Sequence, residues 1–121
     1  DARDNAGLAT TNMAWNMIVG VLHTFRRRLT PKQVLQFGNV LPPVIRALLL
    51  EDWNIEEFPV PFESRANLLT EVRSVRREHN FSPENEIQAV AKALRKSVDL
   101  AAFDRALAQL PVGAQDYWAI E

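Results

Sequence analysis

Acid–base chemistry near neutral pH would fall to two histidines, His23 and His79, since no other side chain titrates there unperturbed. Neither stands in a spacing that makes a site. His23 lies among apolar neighbours and His79 close to a predicted helix end. The chain has no Glu-x-x-His pair of the kind that holds a di-iron centre in a helical bundle. It also lacks His-Glu-x-x-His, Gly-x-Ser-x-Gly and a phosphate-binding glycine loop. Cysteine is absent, which excludes disulfides, thiolate metal sites and cysteine nucleophiles. The sequence therefore reads as a non-enzyme with no catalytic residue, cofactor or metal-ligand set.

Charge offers a second chemistry. The formal net charge is -1, but residues 13–50 hold Arg26, Arg27, Arg28, Lys32 and Arg46 with no acid. Residues 51–63 hold Glu51, Asp52, Glu56, Glu57 and Glu63 with no base. Such asymmetry can steer a partner, or it can let an acidic connector fold back over basic helix ends, which is the favoured reading. A patch of Arg26, Arg27, Arg28, Arg73, Arg76 and Arg77 would suit non-specific phosphate contacts. Base reading is poorly provided for. Gln33–Val40 with Gly38 resembles a helix-turn-helix only in outline, and the helix that would enter the groove, Leu41–Leu50, is apolar except for Arg46. Nucleic acid is thus the weaker alternative.

A third chemistry is apolar recognition. Trp53, Phe58 and Phe62 fall on a segment without helical periodicity, and Trp118 lies near the C-terminus. Aromatics so placed are core lids or interface anchors. As anchors they would serve a protein partner or a second copy in a homodimer. A small apolar ligand between helices is also conceivable in a bundle, though no polar groups converge on one.

The elements that must position these groups are helical. Ile18, Val21, Leu22, Phe25 and Leu29 recur at spacings of three and four on one face, and the Arg26–Arg28 cations end that helix. Thr30-Pro31-Lys32-Gln33 is a capping-box start for a helix carrying Val34, Phe37 and Leu41, ended at Gly38-Asn39. Leu41-Pro42-Pro43 breaks the chain and starts a third helix reaching about Asp52. Residues 53–63 form a connector with two prolines. Ser64 caps a linking helix that ends near His79-Asn80, and Ser82-Pro83-Glu84 opens the next. Asp99 caps a short helix before Leu110-Pro111 and a last turn to Trp118. Residues 1–11 read as a frayed arm. No strand is expected, because Phe58–Phe62 alternates only with prolines.

A shift of 69 residues overlays the halves without a gap. Ile18, Val21, Leu22, Phe25 and Leu29 fall on Ile87, Val90, Ala91, Leu94 and Val98. Arg26 falls on Arg95, Thr30 on Asp99 and Leu41-Pro42 on Leu110-Pro111. Trp53 and Trp118 close the units with an offset of four. Each unit exposes an apolar face that the other would cover, so Arg26 and Arg95 should be equivalent and Leu41 and Leu110 buried.

The pattern Val-Leu-x-x-Phe-Arg-x-Arg-Leu-Thr-Pro at 21–31, Leu-Pro-Pro-Val-Ile-Arg-Ala-Leu at 41–48, Trp53, and Ala-Gln-Leu-Pro…Tyr-Trp at 108–118 resembles the bacterial DUF2267 family. The likeness runs from Trp15 to Trp118. It departs at Asp99-Leu100, where that family often has a Gly-Glu step. The resemblance implies an all-helical bacterial domain and carries no activity with it.

The expectation is a single all-α domain over 1–121, a compact helical bundle of two diverged three-helix repeats. The first repeat covers about 13–53, the connector and linking helix 54–80, and the second repeat about 82–118. Its work is protein interaction or scaffolding. No run of apolar residues approaches the roughly 20 needed to span a bilayer and no leader pattern is visible, so the setting expected is cytoplasmic.

Overall fold

The computed structural model describes residues 12–75 and 85–120. They form seven helices: α1 (Asn12–Arg26), α2 (Pro31–Gly38), α3 (Pro43–Leu50), α4 (Arg65–Val75), α5 (Glu86–Arg95), α6 (Leu100–Ala108) and α7 (Ala114–Trp118). No strand occurs among the described residues. The arm at 1–11, the end of the linking helix at His79-Asn80 and the Ser82-Pro83-Glu84 start all lie outside the described residues.

Local chemistry accounts for most boundaries. Thr30 accepts from the Gln33 amide at 3.2 Å while the Gln33 side chain accepts from the Thr30 amide at 2.8 Å. This reciprocal box starts α2, with Pro31 at the first helical position where its missing N–H costs nothing. Asn85 caps α5 through the Gln88 amide, and Asp99 caps α6 through the Ala101 and Ala102 amides. The departure at Asp99 thus still yields a capped helix. Ser64 accepts from Asn67 at the head of α4. Three boundaries differ from expectation: α1 ends at Arg26 rather than running through Arg28, and α5 starts at Glu86 behind the Asn85 cap rather than at Ser82-Pro83. In the third, helix α3 stops at Leu50, because Glu51 is extended and Asp52 takes a left-handed φ of 52°.

Helix α1 is the axis of the packing, touching α3, α4 and α5, while α2 lies on α6 and α7 on both α5 and α6. Its apolar stripe, with Val21, Leu22 and Phe25 fully buried, meets the stripe of α5, with Ile87 and Ala91 fully buried. Phe25 sits among Phe37, Tyr117, Trp118 and Phe62, with ring centroids 4.8, 5.0, 5.4 and 5.9 Å away. Phe103 closes the cluster at 6.1 Å from Trp118 and 5.9 Å from Phe37. Two glycines permit close approaches. A Cβ on Gly20 would stand 2.9 Å from the Val72 carbonyl oxygen of α4, and one on Gly113, at φ 106°, would run into the Phe62 ring at 2.6 Å.

Leu41 is buried as expected. Leu110 is only half-buried at the edge of the core, which corrects the expectation of equal burial for the two Leu-Pro leucines. The difference is measurable. Trp118→Ala should cost about 3–5 kcal/mol in urea denaturation, as for other buried aromatics, and Leu110→Ala less than about 2 kcal/mol. Equal losses would contradict the placement.

Candidate functional site

The charged side chains singled out from the sequence are mostly turned inward. Arg26, the last residue of α1, donates Nη1 to the carbonyls of Leu49 at 2.7 Å and Glu51 at 2.8 Å, and Nη2 to that of Asp52 at 3.3 Å. Those are orphan carbonyls at the end of α3, where positive charge is favoured. Its guanidinium also lies 5.9 Å from the Trp53 ring centroid. His23, one turn earlier, meets the Leu48 carbonyl at 2.8 Å through Nε2. A carbonyl only accepts, so Nε2 carries a proton and donates it there. Burial pulls the His23 pKa below its ordinary value, with the bond to Leu48 opposing that shift and Arg26 reinforcing it.

Arg28 has only 1% of its side chain exposed. It holds Glu71 of α4 in a bidentate pair, Nη1 to Oε2 and Nη2 to Oε1 at 2.8 Å each, and donates to the Thr24 carbonyl at 2.8 Å. Arg27 reaches Glu71 at 2.9 Å and Glu57 at 3.6 Å. Arg73 pairs with Glu86 at 3.0 Å. Burial works to raise the Glu71 pKa, but the hydrogen bonds and charges of Arg28 and Arg27 outweigh it and hold the carboxyl below its ordinary range. Four of the six arginines of the basic patch are thus committed to partners within the chain. Arg76 and Arg77 lie outside the described residues, as does His79. The acidic connector does fold back on the basic helix end, with Glu57 near Arg27 and Glu63 3.7 Å from Arg28.

The four aromatics separate. Trp118 is fully buried and Phe62 half-buried against Phe25 and Tyr117, so both are core residues. Trp53 is half-buried beside Arg26. Phe58 stands 87% exposed, with Ile55 at 59% three residues before it. Periodicity gave no sign of Ile55, because the connector has none.

That connector is pinned. Asn54 begins a turn in which its carbonyl accepts from the Glu57 amide at 3.2 Å and its side-chain oxygen from the Glu56 amide at 3.1 Å. The Val60 amide donates to the Arg27 carbonyl at 3.0 Å. Between the connector and the start of α2 lies a shallow depression, open to solvent and largely polar, lined by Arg26, Arg27, Leu29, Pro31, Trp53, Asn54, Ile55 and Glu57. Among the described residues no three His, Asp or Glu side chains gather as a metal would require, and no helix is long and apolar enough to cross a membrane.

Three pairings went unseen in the sequence. Arg28–Glu71 joins residues 43 apart, and Arg65 donates to the Asp116 and Tyr117 carbonyls at 2.7 and 3.4 Å. The third is the buried Tyr117 hydroxyl, which donates to the Val21 carbonyl at 2.6 Å; burial pushes its pKa up, so it stays protonated.

Together these features describe a helical domain organised around buried arginines and aromatics, with Ile55 and Phe58 exposed on its connector. The chain belongs to the family described as uncharacterized conserved protein (DUF2267), whose family model matches residues 1–117. A comparison with curated proteins returns no match.

The titrating groups have testable consequences. The folded pKa values of His23 and Glu71 both lie below their ordinary values of 6.5 and 4.5. In each case the unfolded chain takes up the proton more readily, so stability present above the ordinary value is lost as pH falls towards the folded one. Denaturation measured from pH 7 downwards should show stability declining first below 6.5 and again below 4.5. His23→Gln should remove the upper stage, and its persistence in that variant would show that another group is responsible. Separately, Arg28→Met leaves Glu71 without its bidentate partner and should cost about 3–5 kcal/mol; a neutral effect in the same assay would show that the pair is not an anchor.

Proposed function

We propose that this chain is a non-catalytic helical domain, working in the cytoplasm as a protein-interaction or scaffold module whose contact surface is the connector turn. The observation that carries this reading is the 87% exposure of Phe58, beside Ile55, on a backbone held by hydrogen bonds at Asn54 and Val60. A slack loop could bury a phenylalanine at little cost. A pinned one that displays it forgoes the 1.5–3 kcal/mol (roughly) that burial provides and spares a partner the ordering of that segment. Val112 at 98% and Leu35 at 54% are exposed as well, so exposure alone is ordinary; what sets Phe58 apart is its place with Ile55 on a pinned turn.

The proposal includes two diverged units. Arg26 donates to the Leu49 carbonyl and Arg95 to that of Trp118, each 23 residues on and each from the last residue of its helix. The two bonds are related by the same 69-residue shift that overlays the sequences. The register therefore pairs Leu49, not Trp53, with Trp118, and leaves Trp53 and the connector as additions outside the unit. The nucleic-acid alternative has less support, since Arg26 and Arg28 are buried and Arg27 and Arg73 are paired. A catalytic role finds no support in His23, whose Nε2 is held by Leu48.

A photo-crosslinking residue at position 58, introduced in the source cell, tests the interaction. Discrete protein adducts are expected at Phe58 and not at exposed Gln109, with light scattering showing whether the adduct is a second copy. No adduct of either kind at position 58 would overturn the reading.

A further inference from the structure

We infer that the connector turn takes a basic, apolar-bearing polypeptide segment rather than a neutral or acidic one. This rests on the interaction reading above and adds the chemistry of the partner. The apolar side chains Ile55 and Phe58 project from a turn surrounded by carboxylates: Glu51, Asp52, Glu56 and Glu57 are all exposed. Glu51 and Asp52 give backbone carbonyls, not carboxylates, to Arg26. Among the described residues, no ion pair is formed by Glu51, Asp52 or Glu56. Only Glu57 meets a base, Arg27, whose closer partner is Glu71. Arg26 lies behind the turn with its donors engaged by carbonyls. The face presented outward is therefore apolar at its centre and negative at its rim.

Such a face selects by charge. It repels phosphate backbones and anionic lipid surfaces, and it pairs with lysine or arginine flanking an apolar anchor. The apolar contact supplies most of the affinity, and the rim charges supply approach rate and discrimination. The open depression beside Ile55, with Leu29, Pro31 and Trp53 in its lining, adjoins this face.

The test uses the full chain, isotopically labelled, and three synthetic peptides of equal length. One is an amphipathic lysine–leucine peptide, the second has glutamate for every lysine, and the third has serine for every leucine. In amide-shift titrations the lysine–leucine peptide should move Glu51–Phe58 and the Leu29–Pro31 neighbourhood, more weakly as salt is raised. Phe58→Ala should weaken that binding roughly tenfold or more, and Glu56→Lys should weaken it while Gln109→Lys does not. Equal binding of the glutamate–leucine peptide at the same residues would overturn the basic partner yet leave an apolar docking surface standing. Binding of the lysine–serine peptide equal to the lysine–leucine peptide would reduce the site to non-specific charge and overturn the inference. The absence of shifts at residues 51–58 with the lysine–leucine peptide would also overturn it, whatever the crosslinking at position 58 shows.

Discussion

Everything in the bundle is arranged around Phe25. Its ring meets Phe37 and Phe62 from the first half of the chain and Tyr117 and Trp118 from the end of the second. Neither half encloses that ring alone. The residues before Arg65 provide one wall and the short α7 the other, and the Tyr117 hydroxyl fastens α7 to α1 at the Val21 carbonyl. Aromatic pairs at these separations add to the transfer energy of burial, and they do so only when both halves are folded. The constraint is therefore cooperative, since the ring is enclosed only when both ends of the chain are in place.

Polar side chains set the angles that the apolar core leaves open. Arg26 and Arg95 each reach from the end of one helix to a carbonyl at the end of another. Arg65 does the same across the chain at α7. A bare helix C-terminus inside a protein would leave several carbonyls without donors. A guanidinium offers five donors in a fixed fork and fits that need better than an ammonium. Arg28 and Glu71 differ, because both are charged and withdrawn from water. Desolvation offsets much of their attraction, so the pair is better understood as fixing how α4 lies on α1. The Gly20 contact with Val72 needs that same placement.

Legibility in the sequence followed locality. Helices marked by period and cap, such as α2 with Thr30 and α6 with Asp99, were readable because both signals lie within a few residues. The all-helical class followed from them. The end of α3 was misjudged by two residues, since a left-handed Asp52 follows no local rule that favours glycine or asparagine. Leu110 looked like Leu41 in sequence but meets less of the core, because the loop after it turns at Gly113 against Phe62 instead of entering a full helix. The arginines were the hardest to place. Three in a row at a helix end read as a solvent-facing patch, and only tertiary contacts 23 to 43 residues away reveal Arg26 and Arg28 as interior groups. The missing local clue is that carbonyls, which every residue carries, are their partners.

The same contacts fix the path of the connector. Once Arg26 has bound the carbonyls of Glu51 and Asp52, the chain leaves α3 in one direction only. The Val60–Arg27 bond fixes the return. Phe62, just beyond that span, occupies the place against Gly113. The aromatics that stabilise the fold are thus distinct from the one the connector displays: Phe25, Phe37, Phe103, Tyr117 and Trp118 are buried, while Phe58 is exposed beyond the Arg26 clamp.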